Sequence, residues 1–137
     1  MAFSLIIDDR LQEYKMLVQA AKDAGIKENL QYMQNFHELK QHLIMGLPAP
    51  EFIFTSYDMP FLKAHSYLIA MKEMPALANT KYVIYSETIP RSIQMIPMLG
   101  AHHFYCKPTR RRHHQDILTR ILYKKGTPFF VMPYQYS

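Results

Sequence analysis

Asp8 and Asp9 stand side by side directly after the apolar run that ends at Ile7, and three later apolar runs end in Ser56, in Ser86 and in the step Lys107-Pro108. If those runs are parallel strands of one sheet, two carboxylates, two hydroxyls and one ammonium meet at the carboxyl-end rim, where open α/β sheets bind ligands. Neighbouring carboxylates repel unless a cation offsets them, so the pattern calls for a divalent metal, for Lys107, or for both. An ion pair of Lys107 with Asp8 or Asp9 needs no ligand at all. Asp8 and Asp9 also suit a plainer role as a strand end followed by a helix cap.

Other residues invite chemistry less. His102-His103 and His113-His114 are adjacent pairs, which point to opposite faces of a strand or lie ~100° apart on a helix. Neither pair chelates naturally, and both are read as solvated surface histidines. Cys106 is the single cysteine. It falls in an apolar run and is read as a small core residue. A lone thiol excludes a disulfide within the chain and fits a reducing, cytoplasmic setting.

The elements that must position these groups follow from apolar periodicity. Strands are expected at 3–7, 30–36, 52–55, 82–85 and 103–106. Helices are expected at 11–24, 37–45 and 62–74, in a short one opening at Pro90, and in a last one from an N-cap at Thr109 to Lys125. Gly25, Gly46 and Gly100 sit where helices stop. Five strand–helix units in 137 residues read as one α/β domain, a three-layer, doubly wound five-stranded parallel sheet over residues 1–125. Residues 126–137 fall outside the pattern. Their run Pro128–Tyr136 is too apolar to wave in water and is expected to dock on the domain or on a partner.

Composition excludes several classes. Apolar residues make up 49% and charged residues 20% of the chain, which rules out disorder and leaves an ordinary globular core. The start has no cationic lead and its apolar run stops at Asp8, so no signal peptide is expected. No stretch approaches the ~18 apolar residues of a membrane helix. The net charge of +5 is uneven: residues 101–137 carry seven basic side chains against Asp116 alone. Arg110-Arg111-Arg112 open the last helix, at the end where the dipole disfavours cations, so an acidic partner is a reasonable expectation. Nucleic-acid binding through Arg110–Arg112 is the lesser reading, because no recognition motif or stacking platform accompanies the arginines.

In this order and spacing the chain resembles the receiver domain of bacterial two-component response regulators, CheY-like proteins of the flavodoxin-like fold with strand order 2-1-3-4-5. The resemblance is carried by Asp8-Asp9, by the segment 52–60 ending in Met59-Pro60, by Ser86, by Gly100-Ala101 before Phe104, and by Lys107-Pro108. It implies an acidic pocket of Asp8 and Asp9 for magnesium, phosphoryl contacts at Ser86 and Lys107, a switch aromatic at Phe104, and a cis Lys107–Pro108 peptide. It also implies signalling partners such as a histidine kinase or a downstream target. The face of the fourth helix, fifth strand and fifth helix would serve for pairing, as would the tail in a homodimer.

The departure from the family is at the acceptor. Ser56 stands where the family carries its phosphorylated aspartate, and Asp58 stands where the family lends a backbone carbonyl to the metal. Transfer from histidine needs an ionised carboxylate, and a serine hydroxyl without an adjacent base is a poor nucleophile. Serine also removes one negative charge and one hard oxygen ligand, so magnesium binding is expected to be weak. The expectation is therefore a stand-alone, degenerate receiver of a phosphorelay, not an enzyme, acting through protein contacts. A receiver still phosphorylated or metal-loaded through Asp58 is the alternative. A small flavodoxin-like enzyme is a second one, but no G-x-S-x-G, G-x-G-x-x-G or P-loop is present.

Overall fold

The computed structural model describes residues 2–57, 61–88, 100–123 and 129–131. The apolar runs form β1 (Ser4–Ile7), β2 (Leu30–Met33), β3 (Phe52–Ser56), β4 (Lys81–Ser86) and β5 (His103–Cys106). Between them lie α1 (Leu11–Asp23), α2 (Phe36–Ile44) and α3 (Phe61–Lys72), and a 3₁₀ turn covers Pro75–Leu77. The last helix, α4, spans Arg111–Tyr123. It starts two residues after the cap expected at Thr109, and His114 N–H bonds the Arg110 carbonyl. The helix expected from Pro90 lies outside the described residues, as does Asp58.

Every described strand pair is parallel, in the order β2-β1-β3-β4-β5 with one addition. Phe129–Val131 of the tail forms β6, a sixth strand parallel to β5, with His103 opposite Phe129 and Tyr105 opposite Val131. In the five-strand order β5 would be an edge with unpaired backbone groups. β6 supplies partners for them. No described helix is long and apolar enough to cross a membrane.

Strand alternation sorts the core into two layers. Leu5, Ile7, Ile53, Ile84, Phe104 and Cys106 face α2 and α3, meeting Phe36, Leu39, Leu68 and Met71. Ile6, Phe54, Val83, Tyr85 and Tyr105 face the other way, onto Leu17 and Ala21 of α1 and Leu118 and Ile121 of α4. Both layers are mainly apolar, as expected of strands buried on two faces, with Thr55 and His103 among the buried polar residues.

Helix ends are set locally. After α1, Ile26 N–H bonds Ala21 O and Gly25 N–H bonds Lys22 O, with Gly25 at φ +74°. That closure puts C′ in the left-handed region, which glycine occupies without strain. At the start of α2, Asn35 accepts the Glu38 N–H at 3.1 Å and Glu38 accepts the Gln34 N–H at 2.9 Å. These two bonds end β2 at Met33, three residues earlier than apolarity alone predicts.

Deleting residues 127–137 removes β6 and is expected to destabilise the domain by about 2 kcal/mol, the net worth of a short strand's ladder bonds. It also uncovers the β5 edge, so light scattering should detect self-association. A truncated chain of unchanged urea midpoint and mass would contradict this.

Candidate functional site

The rim is built where β1 hands over to α1. Asp8, fully buried, follows the strand directly and accepts the backbone N–H of Arg10, the residue before α1, on Oδ1 at 2.9 Å. The side chain of Arg10 folds back, placing Nε 3.5 Å from the same oxygen. The other carboxylate oxygen, Oδ2, accepts the hydroxyl of Tyr85 at 2.6 Å. Tyr85 reaches it from β4, and the neighbouring Tyr32 hydroxyl donates to the Asp8 carbonyl at 2.7 Å. Asp8 therefore braces the segment just before α1 rather than capping the helix, whose N-cap, Arg10, has no side-chain cap bond. Asp9 is exposed.

Lys107 does not pair with Asp8 or Asp9, which corrects the expectation. Its ammonium lies 2.6 Å from Glu13 Oε1 and 3.6 Å from Glu87 Oε1. Glu13 sits one turn before Leu17 on the buried stripe of α1, so its carboxylate is carried inward with the apolar residues. That places it nearer to Lys107 than the strand-end aspartates. On its way the lysine crosses the ring of Tyr85, 5.2 Å from the centroid. Arg10 closes the circuit, 3.5 Å from Glu13 and 3.4 Å from Glu87. Two cations and three carboxylates thus surround one buried phenol. No described peptide bond is cis, so Lys107–Pro108 is trans, the form X–Pro bonds favour by ~0.5–1 kcal/mol.

Charge and burial act on these groups as the geometry dictates. Desolvation first, and the Asp8 carboxylate second, hold the Tyr85 hydroxyl well above its ordinary pKa. It is a permanent donor to Asp8. Burial alone would lower Arg10, but Asp8, Glu13 and Glu87 together raise it. Lys107 and Asp8, both in contact with Tyr85, lie on one rim although they are not directly paired.

The remaining expected site residues divide. Ser56 is fully buried at the end of β3, in register with Tyr85. Ser86 is buried in β4, but its hydroxyl donates to the Thr88 carbonyl at 2.5 Å and accepts the Thr88 N–H at 3.3 Å, so it caps its own turn. Phe104 is fully buried on the α2–α3 layer. Arg10, Glu13, Tyr85 and Glu87 were not expected at the site. Glu13 was the legible one, being a carboxylate in line with Leu17, Ala20 and Ala21 along α1.

The histidines also differ from expectation. His103 is buried, its ring 6.4 Å from that of Phe52. His114 is half-buried, with Nε2 3.4 Å from the Tyr105 hydroxyl. Cys106 is a buried free thiol, as its apolar setting implies.

No protein-family model matches the sequence, and no curated protein matches it. Solved structures do. Chemotaxis response regulator CheY4 of Vibrio cholerae is 20% identical, with a TM-score of 0.69 over 89% of this chain and 99% of that one. A response regulator in red light signaling of R. palustris is 12% identical, with a TM-score of 0.77 over 93% and 97%. A LuxR family DNA-binding response regulator from Silicibacter pomeroyi is 15% identical, with a TM-score of 0.73 over 99% and 100%. The chain has the receiver-domain fold.

The receiver resemblance implies magnesium at the acidic pair, and the described residues, which do not include Asp58, do not fit it. Both Asp8 oxygens are taken by donors of the chain itself, and the Arg10 guanidinium stands beside one of them. Asp9 is turned to solvent, and Ser56 offers a neutral hydroxyl in place of a third carboxylate. Among the described residues no three His, Cys, Asp or Glu side chains are grouped to hold a metal ion.

Two outcomes follow from the buried groups. Tyr85→Phe leaves an Asp8 oxygen without its donor in a dry site and should cost about 2 kcal/mol in urea unfolding; a loss under about 0.5 kcal/mol would mean the bond contributes little. The second concerns pH. Burial, then His102, Lys81 and Arg120, lowers His103 from 6.5 to about 4. Burial, then Lys107, lowers His114 likewise to about 4, against an opposing pull from Glu13. The unfolded chain takes up these protons below 6.5, while the folded chain refuses them until about 4. Stability is thus full above the ordinary imidazole range and falls as pH drops through that window. Unfolding of His103→Gln and His114→Gln variants across it should show a shallower fall than the parent chain.

Proposed function

We propose that this chain is a degenerate receiver: a signalling domain that keeps the receiver scaffold, does not take a phosphoryl group at position 56, and works through protein contacts. One observation carries the reading. The carboxylate that would share a metal with the acceptor is already neutralised from within, by the Tyr85 hydroxyl at 2.6 Å and by Arg10. Ser56 beside it is buried and has no carboxylate to attack with. Lys107, which would meet phosphoryl oxygens, is held by Glu13 at 2.6 Å.

The fold's relatives are response regulators, signalling proteins by their printed names. That supports signalling partners, a kinase or a downstream target, over an enzymatic role. β6 lies along the edge of β5, which supports assigning the tail to this domain and disfavours pairing of two copies across that edge. A working acceptor at Asp58 remains the rival reading.

Incubation with acetyl phosphate and magnesium, followed by intact mass measurement, is expected to leave the mass unchanged. Millimolar magnesium alone should not raise Tm, since a ligand stabilises a fold only by binding it. A hydroxylamine-labile adduct at Asp58, or a stable phosphate on Ser56, would overturn the degenerate assignment.

A further inference from the structure

A groove of about 340 Å³ runs between α1 and the start of α4. Its rim is basic: Lys15 projects from α1, and Arg110 and Arg111 project from the opposite wall. All three are exposed. Its floor is apolar, made of Met16, Ala20 and Pro108. Met16 is 47% exposed, a large apolar side chain left open to water inside a ring of cations. No carboxylate is among the described lining residues, and the other lining groups are amides, Thr109 and His114. Arg111 meets Asp23 at 3.8 Å while its side chain stays 76% exposed, so that contact leaves it free to engage a second anion.

The arginines are not explained by the fold. They open a helix whose first turn holds no acidic residue, and cations at that end weaken the helix. A concave, apolar floor under fixed positive charge complements one class of ligand. We propose that the α1–α4 groove docks an acidic peptide segment of a partner protein, with an apolar side chain seated on Met16 and Pro108 between flanking carboxylates. This rests on reading the chain as a protein-contact domain. Nucleic acid fits the groove less well, because no Phe, Tyr or Trp ring lines it to stack a base.

The groove also touches the site. Met16, Pro108 and His114 line both it and a small cavity of about 20 Å³ bounded by Glu13, Lys107, Tyr85 and Tyr105. A side chain seated on Met16 would adjoin the cavity that Glu13 and Lys107 line.

The test is fluorescence anisotropy with the full chain and a fluorescein-labelled Glu-Glu-Leu-Glu-Glu probe. Binding is expected to weaken as salt rises. Arg110→Glu with Arg111→Glu should weaken it about tenfold, and so should Lys15→Glu from the opposite wall. Arg112→Glu, the same change one residue outside the lining, should shift it less than about twofold. Replacing the probe's leucine by serine, or Met16 by serine, should cost several-fold, because an apolar contact is lost at constant charge. All positions changed are exposed, and an unchanged far-ultraviolet spectrum and Tm confirm that each variant folds. Equal loss from Arg112→Glu and indifference to the leucine would overturn the groove in favour of diffuse charge attraction. Tighter binding of a single-stranded DNA oligomer, lost in the same variants, would overturn it in favour of nucleic acid. Absence of peptide binding overturns the docking assignment alone, whereas an acyl phosphate in the mass experiment overturns the degenerate reading alone.

Discussion

A carboxylate that is buried must be matched within the protein or it will not stay ionised. Asp8 meets that demand with a phenol from β4, the backbone N–H of Arg10 just before α1, and a guanidinium that doubles back over it. Because the donors come from different segments, satisfying one side chain ties β1, β4 and the start of α1 to a single geometry. Glu13, Glu87 and Lys107 extend the same tie to β5. Removing any one partner leaves a group short of its counterpart in a partly dry place, which costs more than the pair itself contributes.

The scaffold around this rim obeys ordinary rules. Strands apolar on both faces demand helices on both sides, and alternation along β4 sends Tyr85 to one layer while Ile84 goes to the other. The same alternation decides that Tyr85 and Tyr105 stack, with ring centroids 5.9 Å apart, beneath the Lys107 side chain. Phe104, one residue away, is enclosed on the far side of the sheet. Position in the pleat, more than residue type, separates a side chain that serves the rim from one that fills the core.

How much of this was readable in the sequence depends on the kind of signal. β1, β3, β4 and β5 announce themselves as apolar runs, and parallel order follows from the helices between them. The second strand ends three residues, and the second helix begins one residue, before the apolar pattern predicts, because Asn35 accepts the Glu38 N–H and Glu38 accepts the Gln34 N–H, a polar signal that apolar periodicity ignores. β6 went unassigned because three residues flanked by prolines carry no strand pattern by themselves; the free edge of β5 provides the reason for it. At the rim, Asp8 and Lys107 were found by type, but their partners were not. Glu13 and Arg10 lie at the start of α1 with no local pattern that points to the rim, and distances across the chain are invisible to spacing. His103 looked like a surface residue because nothing local says which neighbour of a His-His pair turns inward.

Arg10 has one more consequence. A cation delivered by the polypeptide, two residues from the carboxylate it serves, is present at a fixed effective concentration that neither dilution nor a chelator can change. The cation that balances this rim is therefore in place as soon as the chain folds, and no dissociable ion has to be recruited to supply it.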